Sequence, residues 1–198
     1  MRYSAEHTKE TRARIVDAAG RLFRQEGYGG SGIDGLTKAA GVTNGAFYGH
    51  FKSKREAFRT AMVAGLDELR QGIAAIKAGT RENWLRTFVD FYLAPKRTCD
   101  IGDSCALPNL SPDVMRADLE TRALYEQQLL GIIDALSANA QDGPQDMAED
   151  DAIALLSLLA GGVTLARTVS DPALSERIAQ AVTRAAMAMT AADQSKQA

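Results

Sequence analysis

The stretch Ala40-Gly41-Val42-Thr43-Asn44-Gly45-Ala46-Phe47-Tyr48-Gly49-His50-Phe51 decides how the chain is read. Gly41 can adopt the left-handed backbone conformation that a β-carbon resists, so one short helix is expected to end there and a second to start soon after. Val42 is expected to pack inward and hold the angle between them, and Thr43 is a residue type that caps helix N-termini. Within the second helix the residues sort by direction. Phe47 and Phe51, four apart, face the core, whereas Asn44, Gly45, Tyr48 and His50 stay outside. Gly45 and Gly49 each weaken a helix by about 1 kcal/mol relative to alanine, so something else must favour them; close approach to a groove wall or a phosphate does so. Two short helices about a glycine turn are the arrangement that lays a second helix in the major groove of DNA. The competing reading is a loosely helical connection in an all-α protein.

Outward from this stretch, apolar residues recur at three- and four-residue spacing and hardly alternate, which predicts an all-α fold. Ile15, Ala18, Ala19, Leu22 and Phe23 line one face of a first helix that Gly27 closes. Ser31-Gly32-Ile33-Asp34 reads as a capping-box-like start for the helix that turns Ile33, Leu36 and Ala40 inward. Ser53-Lys54-Arg55-Glu56 is a capping box opening a long helix toward Lys77, with Gly79-Thr80 at its end. Trp84, Phe88 and Phe91 share a stripe that Pro95 stops, and a loop follows through Cys99 to Cys105. Ser111-Pro112 and Asp171-Pro172 each put a capping side chain before a proline at the first helical position, predicting helices over about 112–140 and 172–190. After a loop at Gln141-Asp142-Gly143-Pro144, Asp146-Met147-Ala148-Glu149 opens a helix to about Val169, and the polar tail from Asp193 is expected to fray.

At 45% hydrophobic and 24% charged residues, the 198-residue chain can bury a core large enough to offset chain entropy. No apolar run approaches the roughly 20 residues that span a bilayer, and residues 1–14 lack a signal-peptide core, so a cytoplasmic protein without membrane contact is expected. The net charge of −2 conceals an asymmetry. Residues 1–60 carry 11 Lys and Arg against 6 Asp and Glu, a net of +5; the remainder carries 12 against 19, a net of −7. A basic head on an acidic body favours a polyanion partner for the head alone, although a basic helix face is also ordinary solvated surface. Two cysteines, Cys99 and Cys105, are too few for a secreted disulfide framework and lack zinc-like spacing. The two histidines, His7 and His50, both fall in the head, and no acid/base pair, metal cluster or phosphate loop stands out. No metal, cofactor or catalytic residue is therefore expected, and an enzyme is not.

The run Ile15-Val16-Asp17-Ala18-Ala19-Gly20-Arg21-Leu22-Phe23, the pair Gly27-Tyr28 and the segment from Ala39 to Lys54 together resemble the N-terminal domain of TetR-family regulators. The likeness covers roughly residues 8–60. It implies an N-terminal three-helix helix-turn-helix DNA-binding domain at 1–53 and a C-terminal helical ligand-binding and dimerisation domain at 54–198. It also implies a ligand-responsive repressor, a homodimer on palindromic double-stranded operator DNA, released when a small effector reshapes the body. By position, Thr43, Asn44, Gly45, Tyr48 and His50 match family residues that touch bases and phosphates, Lys54 matches a phosphate-binding lysine, and Ser31 matches the hydroxyl residue opening the second helix. Two departures stand out. Gly32 replaces a second hydroxyl residue and Asp34 a frequently basic one, which puts readout by the second helix in doubt, while Lys38 can compensate with a phosphate contact. Asn44 is the expected base reader, because a carboxamide can bond adenine bidentately; its plainer role is a surface helix residue.

For the body, the resemblance places an effector pocket within residues 54–140, with Trp84, Phe88, Phe91, Tyr92, Met115, Tyr125 and Leu129 as candidates, although a plain core stripe accounts for most of them. Leu155, Leu156, Leu158, Leu159, Val163 and Leu165 surround one late helix, and Ile178, Ala181, Val182, Ala185 and Met189 leave a small-residue face on the next, so the last two long helices are expected to pair across a dimer as a four-helix bundle. Packing within the monomer is the alternative. The segment Gly102 to Leu110 is similar to a cysteine-containing stretch in the branch that includes repressors of electrophile-detoxifying reductases. If Ser104 caps the helix there, Cys105 lies in its first turn, where the positive dipole end favours thiolate; Asp100 and Asp103 act against this and Lys96 and Arg97 for it. A small buried hydrophobe is the other reading of Cys105. An all-α enzyme with Cys105 as nucleophile lacks a recognisable base, and a helical adaptor without DNA binding is the third class.

Overall fold

Most of the expected stops and starts in the head have a local cause in the computed structural model, which describes residues 5–80, 83–137 and 147–194. Gly27, at φ 71°, breaks the regular winding of α1 (Ala5–Gly30). Gly41, at φ 64°, ends α2 (Ile33–Ala40) in the left-handed conformation, and its N–H returns to the carbonyls of Thr37 and Lys38. Thr43 caps α3 (Asn44–His50) by accepting from the Ala46 N–H at 3.2 Å. Ser53 caps α4 (Lys54–Thr80) through the Glu56 N–H at 3.2 Å, and the Glu56 carboxylate reaches back to the Lys52 N–H at 2.7 Å. The remaining elements are α5 (Trp84–Leu93), α6 (Pro95–Thr98), a 3-10 turn at Ile101–Asp103, α7 (Ala106–Met115), α8 (Leu119–Ser137), α9 (Glu149–Thr168) and α10 (Pro172–Gln194). Among the described residues every regular element is helical, so the all-α reading holds.

Several boundaries differ from expectation. Gly32, not Ser31, is the N-cap of α2. The Ser31 side chain is buried and its hydroxyl donates backward to the Gly27 carbonyl at 2.9 Å. Ser111-Pro112 does not open a helix: Pro112 lies inside α7, and Ser111 bonds back to the Leu107 carbonyl, the mid-helix habit of a hydroxyl. The stronger cap is Asp118, whose carboxylate accepts from both the N–H of Thr121 (2.9 Å) and its hydroxyl (2.8 Å) as α8 begins. Asp171-Pro172 behaves as expected, with the Asp171 carboxylate on the Ala173 N–H at 2.9 Å. The loop at 141–144, the cap at Asp146 and residues 195–198 lie outside the described residues.

The chain forms two compact units, residues 1–66 with 100–126, and residues 67–99 with 127–198. In the first, Ile15, Ala19, Phe23, Leu36, Phe47, Phe51, Phe58 and Met62 form a buried core, with Phe23 edge-on to Phe58 at 5.1 Å. This grouping attaches residues 54–66 and 100–126 to the head, across the boundary expected after residue 53. In the second unit α9 and α10 pack so closely that a β-carbon at Gly162 would lie 2.6 Å from Val182. Arg167 seals the end of α6 by donating to the carbonyls of Lys96 (3.0 Å), Arg97 (2.7 Å) and Cys99 (3.0 Å). By length and mean hydropathy α9 could cross a bilayer, but it buries Leu155, Leu156, Leu159 and Val163 within this unit.

Candidate nucleic-acid interface

α3 presents the face expected of it. Phe47 and Phe51 are fully buried, 5.6 Å apart, with the Arg12 guanidinium 4.9 Å over the Phe51 ring. Packing of these rings sets the roll of a seven-residue helix too short to be stable alone. Outward, Tyr48 is 55% exposed, and Thr43, Asn44, Gly45 and Gly49 are exposed beside it, with His50 half-buried. A β-carbon at Gly49 would meet nothing within 4 Å, and one at Gly45 only the Thr43 hydroxyl at 3.9 Å. Nothing inside the protein therefore requires either glycine.

The other predicted contacts are distributed unevenly. Lys38 is exposed on α2. Lys54 is anchored: its ammonium donates to the carbonyls of Tyr28 (2.6 Å) and Ser31 (2.7 Å) and lies 4.2 Å over the Tyr28 ring. It thus closes the end of α1 first, with any phosphate contact left to its remaining N–H. Ser31, turned inward and 1% exposed, offers no side chain to DNA in this conformation, which corrects its expected role. Asn44 is exposed yet engaged. Its amide donates to Asp34 at 3.1 Å and accepts from the Thr37 hydroxyl at 3.0 Å.

Sequence reasoning missed the polar clamp that holds the head to residues 100–121. Arg24 donates to the Gly102 carbonyl at 2.6 Å, Gln25 to Asp100 at 3.0 Å, and Arg21 pairs with Asp103. The Tyr28 N–H, freed by the kink at Gly27, goes to the Asp113 carboxylate at 2.9 Å. From α4, Arg59 donates to Thr121 and Asp118, both at 2.8 Å, and pairs with Glu120. The Thr121 N–H and hydroxyl, then Arg59, hold the Asp118 carboxyl at about 2, below the usual carboxylate value of 3.8. The pattern Asp118-Leu119-Glu120-Thr121 was the available signal for this cap. A cavity of about 610 Å³ lies beside the clamp, lined in part by Tyr28, Arg55, Phe58, Asp113 and Arg116.

The body candidates are divided between the two units. In the second unit Phe88 and Tyr92 are buried edge-on at 5.8 Å, and Trp84 and Leu129 are half-buried, with Lys77 4.5 Å over the Trp84 ring. Phe91 is 39% exposed, because the buried stripe of α5 runs through Phe88, Val89, Tyr92 and Leu93. In the first unit Met115 is 71% exposed at the end of α7. Tyr125 bonds Ser111 at 2.7 Å, and burial pushes its phenol up. Cys105 is the N-cap of α7, 7% exposed, and Ser104 instead closes the 3-10 turn, bonding Asn109 at 3.0 Å. Cys99, in the other unit, is half-buried, its thiol 3.5 Å from the Lys96 carbonyl.

Residues 15–61, the span just described, match the sequence description "Bacterial regulatory proteins, tetR family". Residues 15–61 thus form a TetR-family N-terminal domain. Over 57 residues the chain is 46% identical to the HTH-type transcriptional regulator AcrR of Shigella flexneri, 29% of this chain and 26% of that protein. The HTH-type transcriptional repressor NemR of Escherichia coli is 27% identical over 145 residues, 71% of this chain and 72% of NemR. The chain spans between 26% and 57% of the length of six curated relatives that match at 30% identity or more. The fold agrees. A TetR-family regulator from Agrobacterium tumefaciens superposes with a TM-score of 0.73 at 17% identity, covering 89% of this chain and 97% of that one. The reduced form of E. coli NemR superposes at 0.71 with 20% identity, covering 87% and 95%.

Proposed function

We propose that this TetR-family chain is a cytoplasmic, homodimeric transcriptional repressor that binds a palindromic operator through α3 and leaves it on effector binding or thiol modification. The observation that carries the reading is the exposed face of α3. Two glycines that the protein's own packing does not need flank an exposed tyrosine on a helix aimed by buried phenylalanines. Their loss of helix stability is offset if a nucleic-acid backbone occupies the space a β-carbon would fill. Tyr48, His50, Lys38 and the remaining donor of Lys54 act on phosphates, and Asn44 reads a base edge. Two relatives, DhaR and NemR, are named repressors, which favours repression over activation.

For the dimer, α9 exposes Ile153, Ser157, Gly161 and Leu165 at four-residue spacing, and α10 exposes Leu174, Ala181, Ala185 and Ala188. Two such stripes cover each other when a second copy packs against them, forming a four-helix bundle. For release, the clamp supplies the route, because residues 100–121 that hold α1 and α4 include Cys105 and border the cavity. A buried thiol at the start of α7 reacts only as that segment opens. The test is fluorescence anisotropy of the dimer against its own upstream intergenic DNA at two salt concentrations, with and without a thiol-reactive electrophile. Saturable, salt-weakened, sequence-selective binding supports repression, and its loss in electrophile supports thiol release. Absence of selective binding there, followed by none in a random-sequence selection, overturns the reading.

A further inference from the structure

The carboxamide of Asn44 is tethered at both ends before any DNA arrives. Nδ2 donates to the Asp34 carboxylate at 3.1 Å, and Oδ1 faces the Thr37 hydroxyl at 3.0 Å, with Thr37 itself buried in α2. The chemistry of the two partners is unequal. A hydroxyl can donate or accept, and that of Thr37 has a second acceptor to hand, the Asp34 carbonyl at 3.2 Å, so it accommodates either end of an amide. A carboxylate only accepts. Asp34 therefore decides the orientation: Nδ2 must face it, Oδ1 must face Thr37, and Thr37 must turn its proton to Asn44.

Once the amide is held this way, one N–H and one lone pair remain, with the order of nitrogen and oxygen fixed. That donor and acceptor pair is the complement of the N7 and N6 edge of adenine in the major groove. A flipped amide would present the same pair in reverse order. We infer that Asp34 and Thr37 are positioning residues that lock the Asn44 amide in one orientation and so set the sequence preference of the recognition helix. This rests on the reading of α3 as the base-reading helix. It gives a reason for an acidic residue on a surface meant for a polyanion: Asp34 opposes phosphate attraction, and what it contributes is discrimination.

The experiment is a selection from a random duplex library with the full-length dimer, followed by affinities for each single-base variant of the selected site. It compares wild type with Asn44→Ala, Asp34→Asn, Thr37→Val and Thr37→Ser, each checked for unchanged helicity. Asn44→Ala is expected to lose about tenfold or more of discrimination at one base pair. Asp34→Asn is expected to lose most of the same discrimination at the same base pair, while binding all sequences more tightly through the lost negative charge. Thr37→Val should resemble it in discrimination, and Thr37→Ser, which keeps the hydroxyl, should retain the wild-type preference. If Asn44→Ala relaxes one position and Asp34→Asn and Thr37→Val leave it untouched, the inference is overturned and the DNA-binding reading stands. If Asp34→Asn shifts the preference at a different base pair, Asp34 reads a base itself and the positioning role is also overturned. Should wild type select no sequence, both readings fall together.

Discussion

Gly49 sets helix stability against recognition within one residue. Its β-carbon position is empty, so Gly49→Ala is expected to raise stability by up to about 1 kcal/mol in urea denaturation while weakening operator binding. A variant that is more stable and binds equally well would mean that no ligand approaches there. Lys54 gives the opposite contrast. Replacing it with methionine leaves the carbonyls of Tyr28 and Ser31 without their donor, so a loss of roughly 1–3 kcal/mol in stability is expected. The salt slope of DNA binding should fall by about one phosphate contact as well; that fall with unaltered stability would make the role of Lys54 purely electrostatic. Both residues stood out in the sequence, but the anchoring of Lys54 did not. The two carbonyls that hold Lys54 come from residues 23 and 26 positions earlier, a distance no local pattern reports.

At the scale of elements, the head was legible because its signals are local: glycines at positive φ, hydroxyl caps, and apolar spacing that fits one turn. The α7 and α8 region was misread because Ser111-Pro112 imitates a start, and only the competition with Asp118 shows which cap forms. That cap is testable by pH. The Asp118 carboxyl sits at about 2 in the folded chain against 3.8 without its partners, so its stabilisation is complete above about 4 and disappears as pH falls through about 2. Asp118→Asn should therefore be less stable than wild type at neutral pH, with the difference in denaturation midpoint closing between pH 4 and pH 2. A difference that persists unchanged at pH 2 would show that ionisation is not what Asp118 contributes. The pair of Asp34 and Asn44 was half legible: both residues were singled out, but the hydrogen bond joining two helices was not.

At the scale of the molecule, the exposed stripes of α9 and α10 predict the assembly state. Leu165, 61% exposed, is expected to lie within the dimer interface, so Leu165→Glu should shift sedimentation toward monomer and weaken operator binding through loss of the second half-site. A monomeric wild type, or a Leu165→Glu variant that remains dimeric, would move the interface elsewhere. The apolar stripes were readable from composition along the helices; which of their leucines face inward was not, because α9 is apolar nearly all round.

The clamp from residues 100–121 onto α1 and α4 also bears on how such a protein can be recombined. A DNA-reading module cut after residue 53 or 66 would leave behind the partners of Arg24, Tyr28 and Arg59. A chimaera that grafts this head onto another sensor therefore needs to bring along a discontinuous second piece, or find in its new host a segment that offers a carbonyl, a carboxylate and a hydroxyl in the same places. Portability, in this chain, is a property of two separated stretches inherited together.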